Sequence, residues 1–127
     1  MNRSLFLSLA ATVAVAVGLF ALLFPAVLLA SKGTAPSLVA NVWVREVGAI
    51  LLMIGISAAA MRRHPDSPTL RVFFFSNAMI QLALLLIEVI AYQQGTITLL
   101  SGILPNSIIH ILLGSGFIYY WRRMPSA

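Results

Sequence analysis

At 127 residues, with 61% hydrophobic and 9% charged side chains and a mean hydropathy of +1.01, the chain is long enough for one domain and too apolar for a soluble one. Its formal charge of +5, from eight Lys and Arg against three Asp and Glu, is scattered over the ends of apolar segments with no basic face between them, which excludes a nucleic-acid partner. The lack of cysteine excludes disulfides, thiolate metal sites, thiol catalysis and lipoprotein-type acylation.

Apolar segments follow one another near residues 4–30, 38–61, 69–92 and 98–121. Each reaches the roughly 20 residues that a helix needs to cross about 30 Å of hydrocarbon. The first, "SLFLSLAATVAVAVGLFALLFPAVLLA", follows Arg3 and has the charged start of a signal peptide. Its apolar run is too long for one, and no small-x-small cleavage site follows, so an uncleaved helix is expected. Pro25, near its far end, either kinks that helix or ends it. "SKGTAPS", "RRHPDSPT" and "QQGT" join the segments in turn. Connections this short make neighbouring helices antiparallel. In the fourth segment Pro105 either opens the helix proper, leaving 97–104 as an interfacial piece, or kinks one longer helix. The pattern predicts an all-α polytopic membrane protein with four transmembrane helices in an antiparallel bundle, one domain over residues 1–127.

Orientation is read from loop charge, because cytoplasmic loops retain Lys and Arg. Arg3, then Arg62, Arg63 and Arg71, then Arg122 and Arg123 all fall on one side, against Lys32 and the uncharged "QQGT" on the other. Both termini are therefore expected in the cytoplasm of a bacterial cell, with Ser67 in an inner loop, Thr96 in an outer one, and the chain multi-pass in the inner membrane. Trp121, Tyr119 and Tyr120 at the inner boundary and Trp43 and Tyr92 near the outer one fit aromatic belts.

Against this apolar background three ionisable side chains stand out. Counting about 1.5 Å per residue from the outer helix ends puts Arg45 roughly 10 Å deep, Glu88 roughly 8 Å and His110 roughly 12 Å, in one layer. Asn77, Gln81 and Glu88 follow the i, i+4, i+11 pattern of one helix face, and Asn106 and His110 are i, i+4 on the next helix. A charge at such depth costs about 2.5 kcal/mol or more on insertion scales, so these groups are expected to turn inward and pair, Arg45 with Glu88. Glu46, about 100° from Arg45 around its helix, points to the interface or to another neighbour. Small residues Gly48, Gly55 and Ala59, placed near Arg45's side, let a neighbouring backbone approach. The plainer readings are a purely structural Arg45–Glu88 pair, an Arg45 that snorkels to the headgroups, Asn77 and Gln81 as interhelical glue, and His110 as a satisfied polar group. "RRHPD", with His64, reads as a solvated turn.

Sharper chemistries lack parts. A catalytic zinc wants three protein ligands, and only His110, Glu88 and Glu46 are on offer, without a spacing motif. No phosphate loop, nucleophile elbow or Ser/His/Asp order is present, and "GLF" and "GSG" are too short to carry meaning. No catalytic residue, metal site or cofactor can be named from this sequence.

The stretch "VREVGAILLMIGISAAAMRR" resembles the second helix of small four-helix bacterial inner-membrane proteins of the DoxX-like type, in which an Arg is followed by spaced glycines and a basic loop. The resemblance covers that helix and the four-span layout, and Arg45 is the one matching site position. Some members are similar to accessory subunits of quinone-linked oxidoreductases. The expected function is an inner-membrane binding or accessory protein whose outer-leaflet polar cluster engages a small lipophilic or anionic ligand or a partner helix. One alternative is a small oligomeric transporter or channel in which Glu88 and His110 exchange protons; another is an intramembrane enzyme using them as acid and base. The expected partners are the lipid bilayer, a small lipophilic ligand or membrane protein, and further copies of the chain.

Overall fold

The computed structural model describes residues 2–125, and among these the secondary structure is entirely helical: α1 Arg3–Leu23, α2 Pro25–Ser31, α3 Leu38–Met61, α4 Pro68–Gln93 and α5 Leu100–Arg123. The helices α1, α3, α4 and α5 are long and apolar enough to cross a membrane. At about 1.5 Å per residue the shortest of them, α1, is roughly 31 Å long, enough for the hydrocarbon core.

Local chemistry explains where each helix starts and stops. Asn2, Ser37 and Ser67 cap α1, α3 and α4, their side-chain oxygens accepting from the backbone N–H of Ser4, Ala40 and Leu70. Pro25 breaks the first apolar segment in two. It has no N–H for the Ala21 carbonyl and drives the preceding residue out of the helical region, so Phe24 sits at φ −129°, ψ 50°. The α2 and α4 helices end alike. Gly33 and Gly95 adopt positive φ, 72° and 73°. Their N–H groups donate to Ala30 and Tyr92, while those of Thr34 and Thr96 reach back to Leu29 and Ala91. Pro105 resolves the other way from Pro25: it lies inside α5, which starts five residues earlier and runs through it. The interfacial piece over 97–104 is thus not separate, since Leu100 onward is already helix.

Contacts divide the chain into two units, Met1–Arg63 and His64–Ala127. In the first, α1 and α3 form a hairpin at close backbone contact. A Cβ on Gly18 would lie 2.8 Å from the Gly48 carbonyl oxygen and 2.8 Å from the Leu52 nitrogen. One on Gly48 would lie 2.8 Å from the Gly18 oxygen, and one on Gly55 2.9 Å from the Val15 nitrogen. Only residues without a side chain permit that approach, as at small-residue crossings of membrane helices. Ala58 is buried on this side of α3, whereas Ala59 is only half-buried.

The second unit pairs α4 with α5 through side chains. Phe74 meets Phe117 and Tyr120, with ring centroids 5.9 and 5.7 Å apart, and Phe75 meets Trp121 at 5.3 Å. Further along, Gln81 faces His110 and Glu88 faces Asn106, so rising numbers on α4 meet falling numbers on α5. Leu70, Phe74, Asn77, Ala78 and Gln81 are the buried residues of α4, a face repeating every three or four positions.

Candidate functional site

Four polar side chains form a continuous line between α4 and α5. Gln81 Oε1 lies 2.7 Å from His110 Nδ1, His110 Nε2 lies 3.9 Å from Glu88 Oε2, and Asn106 Nδ2 donates to Glu88 Oε1 at 2.9 Å. The two helices supply alternate members. Glu88 lies seven positions after Gln81, and His110 four after Asn106, so each pair stays on one helix face. Gly114 is one further turn along α5 and faces Gln81: a Cβ added to it would lie 3.4 Å from Gln81 Cβ, at van der Waals contact.

Hydrogen-bond roles follow from the partners. A glutamine carbonyl oxygen only accepts, so His110 Nδ1 carries the proton and donates it to Gln81. This directs Nε2 at Glu88. At 3.9 Å that contact is inside ion-pair range and beyond hydrogen-bonding range. When Nε2 is also protonated, the imidazolium and the carboxylate neutralise each other, and Asn106 supports the carboxylate from its other side. The arrangement can hold a proton between Nε2 and the carboxylate, or offer these two acceptors to a polar head group that donates. Gln81 is buried, while the side chains of His110 and Glu88 keep 14% and 15% of their exposure, so the middle of the line is sheltered without being sealed.

The remaining expected site residues lie elsewhere. Asn77 is buried on the same face of α4, but its Nδ2 donates to the Phe73 carbonyl of its own helix, and its Oδ1 has no hydrogen-bond donor. It therefore bonds within α4 instead of gluing two helices together. Arg45 and Glu46 belong to the first unit, and both are exposed. The buried side of α3 is that of Gly48, Gly55 and Ala58. Arg45, three positions before Gly48, stands about 60° away from it around α3. Inside its own unit Glu88 already has His110 and Asn106 as partners. His64 is exposed, as a turn residue should be.

Among the described residues no three His, Asp or Glu side chains come together as metal ligands would. Two features were not legible in the sequence. Gly18 of "GLF" is a point of closest helix contact, and Gly114 of "GSG" lies beside Gln81. Neither carries a motif; the available signal was the spacing of small residues, Ala11 and Gly18 on α1 against Gly48 and Gly55 on α3, each pair seven positions apart. No family model, curated protein or solved structure matches this chain.

Proposed function

We propose that the protein is a binding or accessory component of a bacterial inner membrane, and that the line Gln81–His110–Glu88–Asn106 receives the polar head of a small lipophilic ligand arriving from the bilayer. The observation that carries this reading is the half-sheltered His110–Glu88 contact, two acceptors while His110 is neutral and a donor beside an acceptor once Nε2 is protonated, held in place from both sides within an otherwise apolar helix pair. Holding ionisable groups inside a membrane is costly, which makes them functional candidates first. A carboxylate at the centre disfavours an anionic head and favours one that donates a hydrogen bond or carries positive charge. The DoxX-like resemblance of "VREVGAILLMIGISAAAMRR" supports a small accessory protein of this kind.

The ligand reading is tested by extracting the protein, purified in mild detergent, with organic solvent and analysing the extract by mass spectrometry. A small molecule other than a phospholipid should accompany the parent and fall about tenfold in Glu88→Gln, since one charged hydrogen-bond partner contributes about 1.5–3 kcal/mol. Identical extracts from parent and variant would remove the support for a ligand at Glu88.

The four long helices are proposed to form an antiparallel bundle with both termini in the cytoplasm. The basic residues concentrated at one set of helix ends support that orientation. Because the chain lacks cysteine, single Pro65→Cys and Thr96→Cys variants, both at exposed positions between helices, report on it directly. Pro65 is preferred to Ser67, whose side chain caps α4. A membrane-impermeant thiol reagent on intact cells should label Thr96→Cys alone; labelling of Pro65→Cys alone would reverse the orientation.

A further inference from the structure

At the opposite end of the α4/α5 hairpin from Glu88, a second cluster joins cations to aromatic rings. Arg71 lies in the first turn of α4, and Trp121, Arg122 and Arg123 are the last three residues of α5. The Phe75–Trp121 and Phe74–Tyr120 contacts bring these two helix ends together. The Arg71 guanidinium carbon sits 5.5 Å from the centroid of the Trp121 ring, and that of Arg123 sits 4.3 Å from the centroid of Tyr119. Residues 64–75 and 117–125 together carry three arginines and one carboxylate, Asp66.

An aromatic face attracts a guanidinium but accepts none of its in-plane N–H groups. The Trp121 ring therefore helps to hold Arg71 in place without taking up its N–H donors. Arg71 Nε is buried and has no hydrogen-bond acceptor, and the residue as a whole is half-buried, so its charge is only partly solvated. The group that would complete it is an oxygen-rich anion, because a guanidinium fork matches the geometry of phosphate oxygens. Both helices are long and apolar enough to cross a bilayer and end here, beside Trp and Tyr rings of the kind enriched where a spanning helix meets the headgroups.

We propose that Arg71, held by Trp121 and assisted by Arg122 and Arg123, binds the phosphate of an anionic phospholipid. The site is separate from the Glu88–His110 line and stands whatever that line binds. Arg71 supplies the directional contact, and the two exposed arginines at the end of α5 add charge.

The test uses the full chain in a neutral detergent, with its thermal unfolding followed on adding phosphatidylglycerol, phosphatidylcholine or inorganic phosphate. Phosphatidylglycerol should raise the midpoint, and the other two should not. In Arg71→Gln the concentration of phosphatidylglycerol needed should rise about fivefold or more, as loss of one surface cation implies. Arg71→Lys, which keeps the charge and loses the fork, should fall between. Equal shifts from the two lipids would overturn the proposal, and so would an undiminished response in Arg71→Gln; an equal shift from inorganic phosphate would assign the site to a soluble anion instead. Should Arg71→Gln not fold, the double variant Arg122→Gln/Arg123→Gln in nanodiscs of equal phosphatidylglycerol and phosphatidylcholine decides. Its co-purified lipid should lose the parent's enrichment in phosphatidylglycerol, and full retention would overturn the proposal.

Discussion

Gly48→Ala is expected to destabilise the protein by about 1–3 kcal/mol, although the same change in an exposed helix adds stability of about 1 kcal/mol through helix propensity. The sign reverses because of what the new methyl group meets. It would lie 2.8 Å from the Gly18 carbonyl oxygen, 2.9 Å from the Leu22 nitrogen and 3.0 Å from Ala21 Cβ. Two of these atoms are backbone and cannot rotate away, so α1 and α3 must separate along their contact and lose the dispersion contacts that hold them. Gly18→Ala should behave alike. The two together should cost less than their sum, because a pair of helices already forced apart accommodates the second methyl group. Denaturant-induced unfolding in detergent measures all three. A Gly48→Ala variant as stable as the parent would mean that the α1/α3 approach is looser than 2.8 Å contacts require.

The second large effect belongs to the polar line. His110→Phe removes the shared neighbour of Gln81 and Glu88, leaving a buried amide oxygen without its donor and a carboxylate without its imidazole neighbour. Breaking a fully buried pair costs about 3–5 kcal/mol, and interhelical hydrogen bonds inside membranes average about 0.6 kcal/mol. With Glu88 and His110 partly exposed, an effect of about 2 kcal/mol is expected, between those limits. Glu88→Leu should cost a similar amount. The double variant should recover part of the summed loss, since an apolar pair leaves no uncompensated charge. Asn106→Leu should be milder, because it removes one neutral donor from a carboxylate that retains His110. Strictly additive losses for His110→Phe and Glu88→Leu would show that the two side chains act independently, and that the 3.9 Å contact contributes nothing.

The polar residues of α4 and α5 line up for a periodic reason. Gln81 with Glu88, and Asn106 with His110, needed only the helical repeat to be placed on common faces, and the two faces do meet. Asn77 shares that periodicity and still bonds its own helix, because an asparagine within α4 can reach the carbonyl four residues back. Depth along a helix follows from counting, but rotation depends on which face the neighbour covers, and within the first unit α1 covers the glycine face of α3.

What the sequence alone determined is everything that depends on length, apolarity and local backbone chemistry. The four long apolar helices and the turns around Gly33 and Gly95 each follow from a handful of neighbouring residues, whereas the sequence left Pro25 open between a kink and the break that occurs. Tertiary structure decided what depends on the approach of one helix to another. That Pro105 is carried within α5, that Gly18 and Gly48 touch backbone to backbone, that His110 stands between Gln81 and Glu88, and that Trp121 holds Arg71 are matters of a few ångströms and a few tens of degrees. Residue order cannot specify such quantities locally, because helix rotation and separation are settled by packing over the whole length of each pair.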